Sequence, residues 1–170
     1  MKHAILLILT SLIFTTACKK KEKTEPEPEE YFSFYADGEY FYYPQEKGLG
    51  FGGTGQTLKA WGAGTAGYII RGYSRKDPVA GGAISLYIQG GQIPDQDTII
   101  LNNINGYASF TDFKHTSNDY YTNNIEIGRL IFTKKTANKL EGIFEFTAKQ
   151  QYNGSLIHIT EGKFAIIPSS

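Results

Sequence analysis

The sequence predicts an all-β fold, an antiparallel β-sandwich or flattened barrel, over residues 31–170. Three observations predict it. Apolar residues alternate with period two through many short segments, as strands with one buried face require. Asp37-Gly38, Asn105-Gly106 and Asn153-Gly154 are tight-turn dipeptides whose two residues tolerate positive φ, which suits hairpins. No stretch after residue 30 repeats apolar residues at the 3.6-residue spacing of a helix.

The strands follow in order. From Tyr31 on, Phe32, Phe34 and Ala36 share one face, and Tyr31, Ser33 and Tyr35 the other. Asp37-Gly38 turns the chain into Tyr40–Tyr43. Residues 48–67 are glycine-dense, which predicts an irregular loop holding one short strand, Leu58–Trp61. Tyr68–Tyr73 comes next, then Ala83–Gln89 with Ile84, Leu86 and Ile88 inward and Ser85, Tyr87 and Gln89 outward. Thr98–Leu101, Tyr107–Phe113, Ile125–Thr133, Leu140–Ala148, Leu156–Thr160 and Lys163–Ile167 complete the set. Tyr120 and Tyr121 fall in a loop between strands. No internal repeat and no second domain are legible.

What precedes residue 31 has a different character. Lys2 is followed by the mostly apolar run Ala4–Phe14, too short for a spanning helix, which needs about 20 apolar residues, and suited to a signal peptide over residues 1–17. Thr15, Thr16 and Ala17 then lead to Cys18, the only cysteine of the chain. Secreted domains normally use cysteines in pairs, so a lone cysteine behind an apolar leader asks for another role. The stretch resembles the lipobox of bacterial lipoproteins, with Thr15 where Leu is usual. That resemblance implies cleavage before Cys18, acylation of its thiol and attachment to a membrane through lipid. Residues 18–30 run CKKKEKTEPEPEE, with much charge and no large apolar residue, the composition of a solvated tether. Lys19 stands where some bacteria place the Asp that retains a lipoprotein in the inner membrane, so the expected location is the cell envelope, at the outer membrane.

Charge narrows the partners. Lys+Arg 17 balances Asp+Glu 17. A neutral chain has no long-range field for nucleic acid, and none is expected as a partner.

The candidate chemistry is sparse. Gly48, Gly50 and Gly53 match the spacing of a dinucleotide loop, but that motif needs a helix N-terminus after it and none is legible. His115 and His158 are the histidines beyond the leader; His158 lies between Ile157 and Ile159 and faces away from them. No cluster of Cys and His predicts a metal, and no cofactor is expected. Asp95 and Asp97 are too few for a calcium loop and read as a turn. Asn153-Gly-Ser155 matches a glycosylation sequon, but the turn explains it better. The remaining candidates are aromatic. Tyr31, Tyr35 and Tyr87 on outward strand positions, with Tyr120 and Tyr121, offer large rigid contact surfaces for a sugar or a protein. Tyrosine also favours strands and packs across them, and packing alone is the better account of each position.

The C-terminal third carries a family resemblance. Gly142-Ile-Phe144-Glu-Phe146-Thr-Ala148 with Ile157-His-Ile159-Thr160-Glu161-Gly162-Lys-Phe164 resembles the closing hairpin of a group of small, uncharacterised lipoproteins of Gram-negative bacteria. Phe32-x-Phe34-x-Ala36-Asp37-Gly38 resembles that group's opening strand and turn, with Phe41 near a position often held by Trp. The resemblance implies a secreted β-domain on a lipid anchor and no activity. The expectation is a membrane-anchored, non-enzymatic binding or structural module whose partner is a glycan or an envelope protein. The alternative is a hydrolase of envelope or other polymers with its site in the glycine-rich or 112–124 loops.

Overall fold

The computed structural model describes residues 29–45, 57–62, 67–73, 81–90, 93, 95, 97–114 and 118–168. Cys18, the Gly48/Gly50/Gly53 spacing and His115 lie outside them. Eleven strands follow one another: β1 Tyr31–Ala36, β2 Glu39–Pro44, β3 Thr57–Gly62, β4 Tyr68–Tyr73, β5 Gly82–Ile88, β6 Thr98–Leu101, β7 Gly106–Asp112, β8 Asn118–Tyr121, β9 Gly128–Thr136, β10 Lys139–Gln150 and β11 Leu156–Ile166. The domain is all-β, as its alternation predicts.

Every pairing is antiparallel, in the order β2-β1-β11-β10-β8-β7-β5-β4-β3, with β9 on the other stretch of β10 and β6 beyond it. The two end strands approach each other, where Leu58 N–H donates to Gln45 Oε1 at 3.2 Å. The sheet thus curls into a nearly closed, flattened barrel. Such curling removes most of the unpaired edge that would otherwise invite association.

The inside is filled. Phe32, Phe34, Ile70, Ile84, Leu86, Ile88, Phe110, Leu130, Ile159 and Phe164 are fully buried in one continuous cluster. The inward faces expected for Phe32, Phe34 and Ala36 and for Ile84, Leu86 and Ile88 are the observed ones. Ser33, expected outside, is buried, with Tyr42 and Lys163 opposite it on its two neighbouring strands.

Glycines make room for the rings. Gly142 pairs with Phe164 and Phe144 with Gly162. A Cβ on Gly142 would sit 2.6 Å from the Phe164 ring, and one on Gly162 2.4 Å from the Phe144 ring. Each phenylalanine lies over the glycine opposite, so a side chain there would collide with it. Close packing thus accounts for the Gly-x-Phe repeat that resembles the lipoprotein hairpin.

The turns divide. Asp37 and Gly38 both have positive φ, 46° and 84°, and join Ala36 to Glu39 as a two-residue hairpin, as expected. The Asn153-Gly154 hairpin is longer: Gly154 N–H donates to Gln150 O, Gln150 N–H to Ser155 O, and Ser155 N–H to Asn153 Oδ1. Asn105-Gly106 is not a hairpin turn. The bend lies earlier, at Asn102–Asn105, with Asn103 at φ 67°, and Gly106 already pairs with Ile88. Strand β6 leaves to pair with β9 rather than β7.

Three strand readings are corrected. Ile125 and Ile127 are exposed loop residues, so β9 begins at Gly128. Leu156–Thr160 and Lys163–Ile167 are one strand. An extra residue in β11, with Glu161 at φ 52°, shifts the register against both β1 and β10. This bulge switches the inward positions from Ile157 and Ile159 to Gly162, Phe164 and Ile166. Finally, Tyr120 and Tyr121 lie in a strand, β8, not in a loop.

Candidate functional site

The outward tyrosines fall on two separate faces. The first is on β1 and β2. Tyr31 and Tyr42 are 6.4 Å apart between ring centroids, Tyr35 and Tyr40 5.1 Å, and Tyr40 and Tyr42 6.4 Å. The rings form a ladder down this hairpin, through cross-strand contacts and one between Tyr40 and Tyr42 along β2.

The second face is on β4, β5, β7 and β8. Pairing places Ile69 opposite Tyr87, and Tyr87 opposite Tyr107. Tyr121 pairs with Ser109 and lies diagonally from Tyr107. The Tyr87 and Tyr107 rings stack at 4.8 Å with 21° between their planes. Tyr87 leans over Gly67, where a Cβ would come within 2.3 Å of its ring. Tyr107 is therefore tiled onto Tyr87, and Tyr87 onto the backbone at Gly67.

Tyr120 departs from expectation. It pairs with Phe110, turns inward and packs against the core, its ring 6.4 Å from that of Phe110. The period-two rule makes this unavoidable once Tyr121 faces out.

Beyond Tyr107 the second face opens into a cleft of about 380 Å³ lined by Asn103, Tyr107, Tyr121, Thr122, Asn123, Lys149, Gln150, Gln151 and Gly154. That size lies within the ~300–1,000 Å³ of small-molecule sites. Three loops meet there, and each is fixed by its own hydrogen bonds. Asn102 Oδ1 accepts from the N–H groups of Ile104 and Asn105. Asn123 Oδ1 accepts from those of Ile125 and Glu126. Gln150, almost fully buried, donates through Nε2 to Asn118 Oδ1 at 2.6 Å and accepts at Oε1 from Ser155 Oγ at 3.1 Å. Thr122 Oγ1 accepts from Ala108 N–H at 2.9 Å. Bound this way, the lining is held in place before any ligand arrives.

Tyr121 keeps its proton. Loss of solvent around its ring raises its pKa above 10.0, and Asp119, Tyr107 and Tyr152 add to the effect. Asp119 itself accepts from Thr111 Oγ1 at 2.7 Å. The phenol of Tyr121 is thus a hydrogen-bond donor at neutral pH.

The remaining sequence candidates have structural roles. Asp97 pairs with Lys135 at 2.9 Å, and Lys135 also donates to Asp95 O at 2.6 Å, so this segment is tied down by a lysine. His158 faces outward as expected, beside Thr147 Oγ1 at 3.1 Å, and its N–H donates to Asp37 Oδ1 at 2.8 Å. Among the described residues no group of three His, Cys, Asp or Glu is placed to hold a metal. Among the described residues no helix is long and apolar enough to cross a membrane.

Tyr31, Tyr35 and Tyr87 were legible as outward aromatics and Tyr121 as a loop candidate, but the sequence does not show that they divide between two faces. Tyr107 carried the same signal, since it alternates with buried Ala108 and Phe110. The amides of the cleft carried none, because three distant loops supply them.

No protein-family model matches the chain, and neither the curated proteins nor the solved structures compared with it give a match.

Proposed function

We propose that the chain is a membrane-anchored lipoprotein of the bacterial cell envelope whose β-domain is a non-enzymatic binding module. The cleft bordered by Tyr107 and Tyr121 is its binding site. The observation that carries this reading is the meeting of an ordered aromatic pair with a prearranged set of amides in one open cleft. Aromatic rings with a few fixed polar groups are the usual composition of a recognition site. The hydrolase alternative, for glycosidic bonds, calls for paired carboxylates at the reacting bond. None of the described residues lining this cleft is a carboxylate.

The placement of the cleft fits a tethered binder. Tyr31, where the tether joins, pairs with Ala165, and Ala165 pairs with Glu141. Lys149 and Gln150, at the cleft, stand at the other end of β10. From 141 to 149 a strand advances about 26 Å at roughly 3.3 Å per residue. The cleft thus lies at the opposite end of β10 from the point of attachment. The lipobox-like stretch ending at Cys18 and the resemblance to small lipoproteins support the anchor. The outer membrane is the location this reading assigns.

Fractionation tests the anchor. The wild-type protein is expected in the membrane fraction and the Cys18→Ala protein in the soluble fraction. If Cys18→Ala stays with the membrane as firmly, the anchor is wrong. Protease added to intact cells, followed through an epitope tag, then reports the face: loss of the tag places the domain outside, protection places it in the periplasm.

A further inference from the structure

We infer that the cleft binds the sugar rings of a neutral glycan. This rests on the binding reading above and names its ligand class. The argument starts from Tyr107. One face of its ring is covered by Tyr87, which is itself laid on Gly67. Tyr107 lines the cleft, whereas Tyr87 does not. Tyr107 is thus part of the cleft wall, and its ring is backed by the stack beneath. A pyranose ring has one face of C–H groups that suits such a surface and a rim of hydroxyls that needs donors and acceptors.

The rest of the lining supplies that rim. Asn103, Asn123 and Gln151 carry amides that both donate and accept, and Tyr121 donates a phenolic proton. Asn123 Oδ1 is occupied by its loop, which leaves its amide N–H groups as the part available to a ligand. Buried Gln150 forms the rigid floor. Among the described residues lining the cleft Lys149 alone is charged, too little to select an anionic polymer. A lipid tail is disfavoured, since the barrel interior is filled by its own side chains. A peptide strand would seek a sheet edge. The cleft lies where β8 ends, and the edge of β7 there is already taken: Thr122 N–H donates to Ala108 O, Ala108 N–H to Thr122 Oγ1 and Asn103 N–H to Gly106 O.

The test is calorimetric titration of the full chain, in zwitterionic detergent, with neutral oligosaccharides of the cello-, chito-, malto-, xylo- and manno- series. At least one series is expected to bind saturably. The affinity should hold between about 50 and about 500 mM salt, because a neutral ligand is not screened. Tyr107→Ala should weaken it about tenfold or more, Tyr107→Phe should retain it because the ring face remains, and Tyr42→Ala should leave it unchanged. Circular dichroism of each variant separates lost binding from lost fold. Silence across all the series overturns the glycan assignment, as does binding that Tyr107→Ala leaves intact. A photo-crosslinker in place of Tyr121 separates the two claims. If the glycans are silent but the crosslinker captures one defined envelope protein, and Tyr107→Ala abolishes that capture, the site stands and its ligand is a protein. If neither occurs, the binding reading falls with the glycan.

Discussion

The two tyrosine faces use the same residue type and differ in what surrounds it. On β1–β2, Tyr31, Tyr35, Tyr40 and Tyr42 pack against one another along a regular hairpin. Their contacts are the ordinary cross-strand and same-face neighbours of a sheet, Tyr35 with Tyr40, Tyr31 with Tyr42 and Tyr40 with Tyr42 along β2. On β5–β7–β8, Tyr87 and Tyr107 also pair across strands, but the sheet is interrupted beside them. Strand β8 is only four residues long, and β10 turns from β8 to β9. That break brings the 102–105, 122–126 and 151–154 loops together over Tyr107 and Tyr121. An outward tyrosine therefore becomes a candidate site through the topology next to it, and the first face shows what the same alternation does without a break.

Both faces rest on one interior, so the largest effect should come from inside. Phe164→Ala removes a fully buried ring that touches Phe32, Phe132 and Phe144. A loss of about 3–5 kcal/mol is expected by urea unfolding, in a single transition, since such cavities collapse only in part. Separate transitions for the two faces would break the picture of a shared core.

Next comes the floor of the cleft. Gln150→Leu leaves Asn118 Oδ1 and Ser155 Oγ without their partner. It should cost about 1–3 kcal/mol and weaken ligand binding, while NMR contacts between Tyr40 and Tyr42 stay as they are. An unaltered cleft in that variant would mean Gln150 does not organise the site.

Alkali should act on both sides. Burial raises the pKa of Tyr43, which lies on the inward side of the ladder hairpin, with Asp112 and Glu39 adding to it. Tyr68 and Tyr121 are raised by burial as well. A group whose folded pKa is raised holds its proton in the folded state after the unfolded chain has lost its own. Its stabilisation is full below 10.0 and declines as pH rises beyond that value. Thermal unfolding should therefore show a falling Tm above pH 10.0. Tyr43→Phe should flatten the fall and cost little at neutral pH, because the Tyr43 hydroxyl, although near the Gly82 backbone, has no well-formed hydrogen bond to the described residues. An equally steep fall in that variant would remove Tyr43 from the explanation.

The smallest effect is expected on the ladder. Tyr42→Ala removes exposed cross-strand contacts worth about 0.2–1 kcal/mol and should leave binding untouched.

Much of the fold was legible because alternation survives wherever a strand has one buried face. The inward sets of β1, β5 and the first half of β11 could be read directly from Phe32, Ile84 and Ile157 onward. Legibility failed where geometry breaks the period. The bulge at Glu161 makes one strand resemble two, since the inward positions change parity across it. Gly106 beside Asn105 carries the composition of a hairpin turn, but β6 finds β9 instead, a choice made by long-range pairing. Strand β8 escaped notice because Asn118-Asp-Tyr-Tyr121 is short and has just one side chain packed against the core. The site was half legible for the same reason: its rings follow strand alternation, whereas Asn103, Asn123 and Gln151 come from loops that only the topology brings together.

The most direct test sets the two faces against each other on the natural surface. Purified wild-type, Tyr107→Ala and Tyr42→Ala chains would be cosedimented with isolated cell-envelope polysaccharide. The account predicts that wild type and Tyr42→Ala sediment with it alike and that Tyr107→Ala stays in solution while still folded. Retention of Tyr107→Ala together with loss of Tyr42→Ala would place the binding face on the β1–β2 ladder and contradict the account.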